Sequence, residues 1–476
     1  MIRIIAALIC VAGTAGLFWL DRDPKIRASK ASWIPTLWIF IAASRNVSTW
    51  LRLSAADQAD QYLEGSPLDR AILTVILGLG VAVLFARQKK VINLLRANKP
   101  ILIYFGYCGL SVFWADYPDV SLKRWFRALG DVVMILVILS ERDWFASLKR
   151  IFARLSFLLI PVSILFIRYY PELGRSYSSG GKGSWVGAAT DKNALGMMCL
   201  IFGLAAIYRM ILIYRGEEGP RKKRKLIALW VLIVMALYLL REANSATALS
   251  AFVMAGSVMI LTLLYPWARK PHVLHPMVAA VLMVAVGALF LGVGSGLVQD
   301  LGRDSTLTGR TNIWHFALAK VTNPLLGAGF ESFWLGDRLK TIEKEINQDV
   351  NQAHNGYLEI YLNLGWLGVI LIAIVLITAY RRIVSAVRLQ TTAASLRLAY
   401  LVVAASYNFT EAGFKMMNPV WIVFLLSAAI TRRVPVKLRK AEVPVDSLAS
   451  GDENMLTAQS AAGVPFGRSF SHQPPR

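Results

Sequence analysis

The sequence predicts an all-α protein: a polytopic bundle of transmembrane helices with one large extracytoplasmic loop carrying short interfacial helices. Three observations predict it. Of 476 residues, 56% are apolar, and they gather in runs. These runs, about 17 to 25 residues each, are long enough to cross a ~30 Å hydrocarbon core as helices. The basic residues, although they sum to a net charge of +23, sit in short loops between the runs. In a soluble chain such a charge suggests nucleic acid; here it sets membrane orientation and attracts anionic lipid, so no nucleic-acid partner is expected.

Taken in order, "IIAALICVAGTAGLFWL" resembles a signal peptide but lacks a small-residue cleavage site, so it is expected to remain as a helix. The next run, "ASWIPTLWIFIAASRNVSTWL" (31–51), contains an arginine and either spans or re-enters. About thirteen runs follow from the whole chain, giving twelve or thirteen helices. Arg215–Lys225, "RGEEGPRKKRK", holds six Lys/Arg; Gln88–Lys99 with Arg87 holds five and no acid. With Arg381–Arg397 and Arg432–Lys440 these are cytoplasmic by the positive-inside rule. Alternation then puts Arg52–Arg70, Ala115–Arg124, Pro171–Lys192, Arg241–Ser245 and Gln299–His354 on the far side. The last is the largest loop, 56 residues with six Lys/Arg against seven Asp/Glu. The expected organisation is a membrane domain over 1–440 and a disordered cytoplasmic tail over 441–476, rich in Ser, Ala, Gly and Pro. No soluble catalytic domain fits, so any chemistry must be assembled from outer loops and helix ends. Cys10, Cys108 and Cys199 all lie in apolar runs and indicate neither disulfide nor metal.

Within the large loop, "TLTGRTNIWHFALAKVTNPLLGAGF" (306–330) reads as one amphipathic helix. Thr308 can cap it, Ile313, Trp314, Ala317, Leu318 and Val321 share a face, and Asn323-Pro324 ends it. Arg310 stands at its start, where a guanidinium is unfavourable for the helix dipole. Beside free N–H groups, however, it makes a phosphate or pyrophosphate site. The bland alternative is a solvated arginine. Trp314 and Phe316 suit the headgroup level.

"NQAHNGYLEIYLNLGWLG" places His354 just before a transmembrane helix, with Asn355 able to cap and Glu359 one turn on. A histidine there can accept a proton from a hydroxyl near neutral pH; the ordinary alternative is a polar helix entrance. His272, His275, His315 and His472 are weaker candidates, and no pair has zinc-site spacing. "GRSYSSGGKGSWVGAATDKNALG" (174–196) is polar and external, ending in Asp191, Lys192 and Asn193, types that suit sugar or phosphate contact in what is otherwise a connector. Asn408 and Glu411, in "SYNFTEAGF", stand between two short apolar runs, and an acid near membrane depth is a functional candidate. Asp21-Arg22-Asp23 matches the Asp-x-Asp pattern of metal-dependent transferases, but it is cytoplasmic with no nucleotide-binding domain behind it. No Walker-type loop is present.

"LTGRTNIW", "NPLLGAGFESFW" and "AHNGYLEIYLNLGWLG", with "TDKNALG" upstream and "NFTEAGF" then "NPVWIV" downstream, resemble the O-antigen ligase and O-antigen polymerase-like membrane family, nearest the bacterial exopolysaccharide polymerases. The resemblance spans 191–426. It implies inverting, metal-independent glycosyl transfer at the periplasmic face of the bacterial inner membrane, with no cofactor. The implied donor is an oligosaccharide on undecaprenyl pyrophosphate, and the acceptor is a second lipid-linked glycan for a polymerase or lipid A-core for a ligase. A chain-length regulator or a flippase would be a natural partner. The roles carried over are pyrophosphate holding for Arg310 and action on the acceptor hydroxyl for His354, with Lys192 and Asn193 lining the same cavity. Asn355 and Glu411 complete the candidate set. One departure stands out: where relatives place a cation in a Ser-rich motif, this chain has Ala246 and Thr247, with Arg241 several residues earlier as the candidate replacement.

The chemistry is consistent with these residue types. Fixed guanidinium and ammonium groups can stabilise a departing pyrophosphate without Mg²⁺. A general base on the acceptor is worth ~10²–10⁴-fold. The reading from another class, a transporter of lipid-linked sugars, would gather charged or helix-breaking residues at mid-bilayer in matched halves. Here the polar candidates collect on one side.

Overall fold

The computed structural model describes residues 1–22, 29–53, 66–177, 183–218, 221–290, 307–347 and 349–429. Several expectations lie outside these residues: the tail at 441–476, the basic stretch at 432–440, Asp23, most of the loop at 52–70 and the start of the large loop at 299–306. The side chain of Thr308, the expected cap, is also outside them.

The helices run in chain order as α1 (Ile2–Asp21), α2 (Trp33–Ala43), α3 (Pro67–Ala86), α4 (Gln88–Ala97), α5 (Lys99–Leu110) and α6 (Pro118–Leu139). After α7 (Trp144–Tyr169) comes a two-stranded antiparallel ladder, β1 (Arg175–Tyr177) and β2 (Gly183–Trp185), in which Arg175 faces Trp185. Then follow α8 (Lys192–Tyr214), α9 (Lys222–Glu242), α10 (Ala246–Leu264) and α11 (Pro271–Phe290). The outer segment carries α12 (Leu307–Ala319) and α13 (Gly336–Ile346), and α14 (Gly356–Arg388), α15 (Ala394–Tyr407) and α16 (Pro419–Ala428) complete the bundle.

This is an all-α polytopic membrane protein. Among the described residues α1, α3, α7, α8, α10 and α14 are long and apolar enough to cross a bilayer, and α15 and α16 are shorter apolar helices. Fewer runs qualify than the twelve or thirteen expected, because several are broken or short. The second run stops at Ser44, and Arg45 donates from Nε to Ala189 O (2.9 Å) and from Nη2 to Gly187 O (2.7 Å) and Leu173 O. An arginine inside an apolar run is thus satisfied by carbonyls of the outer connector, not by lipid. The connector at 174–196, expected to be a flexible loop, is in part organised by that same side chain.

Burial separates the helices. In α8, 89% of the apolar window is enclosed, and Tyr400 Oη of α15 donates to Ile201 O at 3.0 Å, locking the central pair. In α1 only 6% of the window is buried, and Ile2, Leu8, Ile9 and Val11 face outward. Exposed apolar area on this scale calls for lipid around it.

Helix ends on the side away from the Arg215–Lys225 loop are capped by side chains. Asp191 accepts from Asn193 N (2.8 Å) and Ala194 N (3.0 Å), and Asn355 accepts from Tyr357 N and Leu358 N (both 3.0 Å). Asn418 accepts from Val420 N at 2.9 Å, with Pro419 at the first helical position. On the opposite side, Asp21 pairs with Arg209 (2.9 Å), which also meets Glu218, itself bridged to Lys149 (2.9 Å). Asp21 is therefore committed to an ion pair, while Asp23 of the same motif lies outside the described residues.

The outer segment forms a second small core. Ile313 and Ala317 of α12 pack with Phe333, Trp334, Ile342 and Leu362. Of the face read for this helix, Ile313 and Ala317 are buried and Trp314 turns inward to donate from Nε1 to Ala353 O at 2.7 Å. Leu318 is exposed, however, and Val321 lies past the helix end, which comes at Ala319 and not at Asn323-Pro324.

Candidate active site

A cavity of about 770 Å³ opens at the helix ends opposite the Arg215–Lys225 loop. Lys192 and Asn193 enter it from the start of α8, Arg241 from the end of α9, and His354, Glu411 and Lys415 from the segments flanking α14 and α16. A volume of this size is in the range of small-molecule sites.

The geometry centres on Glu411, only 6% exposed. Its Oε1 accepts from Arg310 Nη2 at 3.0 Å and from Asn193 Nδ2 at 3.1 Å, and its Oε2 faces His354 Nδ1 at 3.2 Å. Arg310 Nη1 also donates to Thr410 O. Three residues singled out from sequence thus meet at the carboxylate of a fourth, from four separate stretches of chain. An ionised carboxylate only accepts, so the bond between the two is made by an imidazole with a proton on Nδ1. A buried carboxylate thus orients the imidazole.

Glu411 is presented by a tight turn. Asn408, fully buried, donates from Nδ2 to Ala404 O (2.7 Å) and accepts from Gly413 N and Phe414 N (both 2.8 Å). Gly356 N donates to Asn408 O (2.8 Å) and Glu411 O (3.1 Å). A Cβ on Gly356 would lie 1.8 Å from Asn408 Oδ1, so only glycine allows this approach. Asn408 therefore shapes the turn, and Glu411 alone of that pair faces the cavity.

His354 is held equally firmly. Its φ of 50° is left-handed, an uncommon state for a non-glycine residue and a frequent one at functional sites. On its N-terminal side, Ala353 O is taken by Trp314, and Ala353 N donates to Glu359 Oε1. Glu359 is fixed in turn by Trp334 Nε1, 3.0 and 2.9 Å from its two oxygens. On the other side Asn355 spends its side chain capping α14. Asn355 is absent from the cavity lining, and its contribution here is to aim the histidine.

The candidates separate by position. Lys192, Asn193, Arg241, His354 and Glu411 line the cavity; Arg310 stands behind Glu411; Asn355 is spent as a cap. Arg241 shares the cavity with Lys192, while Thr247 bonds to Thr410 Oγ1 at 3.0 Å. Lys415 went unnoticed in sequence; its signal was a lone cation in "EAGFKMMNP", four residues past Glu411. Trp314 and Trp334 were unreadable as positioning residues because their partners lie 39 and 25 residues away.

The family model described as O-Antigen ligase matches residues 228–373, a stretch that includes Arg241, Arg310 and His354. The chain is similar to the O-antigen ligase and polymerase-like membrane family. Over 326 residues it is 28% identical to the exopolysaccharide production protein ExoQ of Rhizobium meliloti (strain 1021), covering 64% of this chain and 69% of the relative. Over 351 residues it is 21% identical to a Rickettsia prowazekii (strain Madrid E) protein that carries a polysaccharide-ligase name, covering 70% and 80% respectively. Part of the family signature is explained by folding alone. At Gly365 (φ 62°, ψ −166°) α14 kinks, and the freed Trp366 N and Leu367 N donate to Pro324 O (2.9 Å) and Leu325 O (3.3 Å). The "NPLLGAG" motif therefore splices the outer segment onto the kink, while "GRT" and "HN" supply Arg310 and His354.

Proposed function

We propose that this chain is a glycosyl-transferring enzyme that extends a glycan carried on undecaprenyl pyrophosphate, at the periplasmic face of the inner membrane, in exopolysaccharide or O-antigen biosynthesis. The observation that carries this reading is the meeting of Arg310, Asn193 and His354 on buried Glu411, at the wall of a cavity that Lys192, Arg241 and Lys415 also line. His354 Nε2 takes the proton of the acceptor hydroxyl as its oxygen attacks the anomeric carbon. The bond from that carbon to the pyrophosphate oxygen breaks, and the anomeric centre inverts. Lys192, Arg241 and Lys415 stabilise the departing pyrophosphate by charge, and the free energy of the pyrophosphate linkage drives transfer without ATP. Glu411 orients the imidazole and stabilises its protonated form. Arg310 holds Glu411 in place by a charge-assisted hydrogen bond.

The test is substitution in the native host. His354→Ala and Arg310→Ala should each cut product by ~10²-fold or more while the protein still inserts in the membrane. Normal polymer from either variant removes that residue from the mechanism. The polymerase reading draws on the higher identity to the exopolysaccharide production protein; the alternative is ligation to lipid A-core. A deletion strain that accumulates single repeat units indicates a polymerase, and one that retains lipid-carried polymer never joined to lipid A indicates a ligase.

A further inference from the structure

A second cavity of about 420 Å³ lies on the same side of the bundle, between the starts of α3 and α6 and the outer segment. Its charged lining is mostly cationic, with Arg70, Lys123, Arg124, Arg127 and Lys415 against the acid Glu331, and Asn46, Ser66, Thr74 and Asn351 add neutral polar groups. Leu73 and Leu77 of α3 and Phe126 of α6 make an apolar wall beside them. Cations at one end and hydrocarbon along the other describe a lipid with a phosphate or diphosphate head. The two cavities are neighbours. Lys415 lines both, and of two consecutive residues Asn351 faces the second while Gln352 faces the first. The segment leading to His354 is thus the partition between them.

We propose that this second cavity binds the diphosphate headgroup of the other lipid-linked substrate, so that donor and acceptor carriers are held on either side of the 351–354 partition. This rests on the reading of the first cavity as the transfer site. It gives the acceptor hydroxyl a short route to His354, and it explains why so many cations lie away from the Glu411 cluster. A transfer enzyme whose two substrates share one headgroup needs two such sites. A ligase whose acceptor is a different lipid has less need of a matched pair.

Calorimetric titration of the full chain in detergent tests this, with farnesyl diphosphate and inorganic pyrophosphate as probes. The wild type should take two farnesyl diphosphates per chain. Lys123→Gln with Arg124→Gln should leave one, Lys192→Gln with Arg241→Gln should leave the other, and all four together should leave none. One binding event in the wild type, or two in the Lys123/Arg124 variant, overturns the second site. Pyrophosphate should bind there at least ten-fold more weakly than farnesyl diphosphate; equal affinity indicates a free anion and overturns the lipid assignment. If the Lys123/Arg124 variant fails to fold, Arg70→Gln with Lys123→Gln asks the same question, since Lys123 is exposed. Stoichiometry does not depend on catalysis, so failure of the transfer reading shows separately, as normal polymer from His354→Ala.

Discussion

Glu411 and its three partners decide what the site can do at the scale of single residues. Arg310 and His354 face different oxygens of one carboxylate, so replacing the carboxylate separates charge from shape. Glu411→Gln keeps the volume and an acceptor but offers His354 no anion. Polymer yield should fall on the order of 10²-fold, the lower end of what a general base is worth, with membrane insertion unchanged. Full activity in that variant would reduce Glu411 to a structural residue. Asn355 acts differently, since its oxygen is spent on the N–H groups of Tyr357 and Leu358. Asn355→Ala should cost ~1 kcal/mol of stability, read as a lower melting temperature, while Asn355→Asp keeps the cap.

Two elements position the site from a distance. The kink in α14 depends on Gly365, whose φ and ψ fall in a region open essentially only to glycine. A Cβ there would lie 2.2 Å from Leu325 O. Gly365→Ala should destabilise the protein by roughly 1–3 kcal/mol for the backbone conformation alone, and lower activity by loosening the outer segment. A thermal melt unchanged from wild type would contradict this. On the opposite face the α8–α9 connection is held by Glu218. Burial pushes its carboxyl up, but Arg209 and Lys149 outweigh that and hold it below its ordinary value near 4.5. A carboxyl depressed in the folded state stabilises fully above its unfolded value, and the contribution is lost as pH falls through the folded one. Melting temperature should therefore drop below about pH 4.5, and more steeply in wild type than in Glu218→Gln.

For the whole molecule, the cavity and the Arg215–Lys225 loop stand at opposite helix ends, so the two should be accessible from opposite sides of the membrane. The native cysteines suit a labelling test, because Cys108 and Cys199 are buried and Cys10 lies in α1. Thr190→Cys beside the cavity should react with a membrane-impermeant thiol reagent added to intact spheroplasts. Lys222→Cys should react only after permeabilisation. The reverse pattern would put the site on the cytoplasmic face and end the proposed use of a periplasmic donor.

The all-α membrane fold was legible in the sequence because span length and loop charge are properties of local composition, and a bilayer leaves the backbone few other options. His354, Arg310, Lys192, Asn193 and Glu411 were legible one at a time, as polar groups out of place beside apolar runs. Their convergence was not, since Asn193 and Glu411 are 218 residues apart in the chain and meet only when α8 packs against the end of α15. Tertiary structure also decided which polar residues are free for chemistry. Asn408 and Asn355 look like Asn193 in sequence, yet buried N–H groups claim them, because an unpaired donor inside the protein costs more than a side chain diverted to meet it.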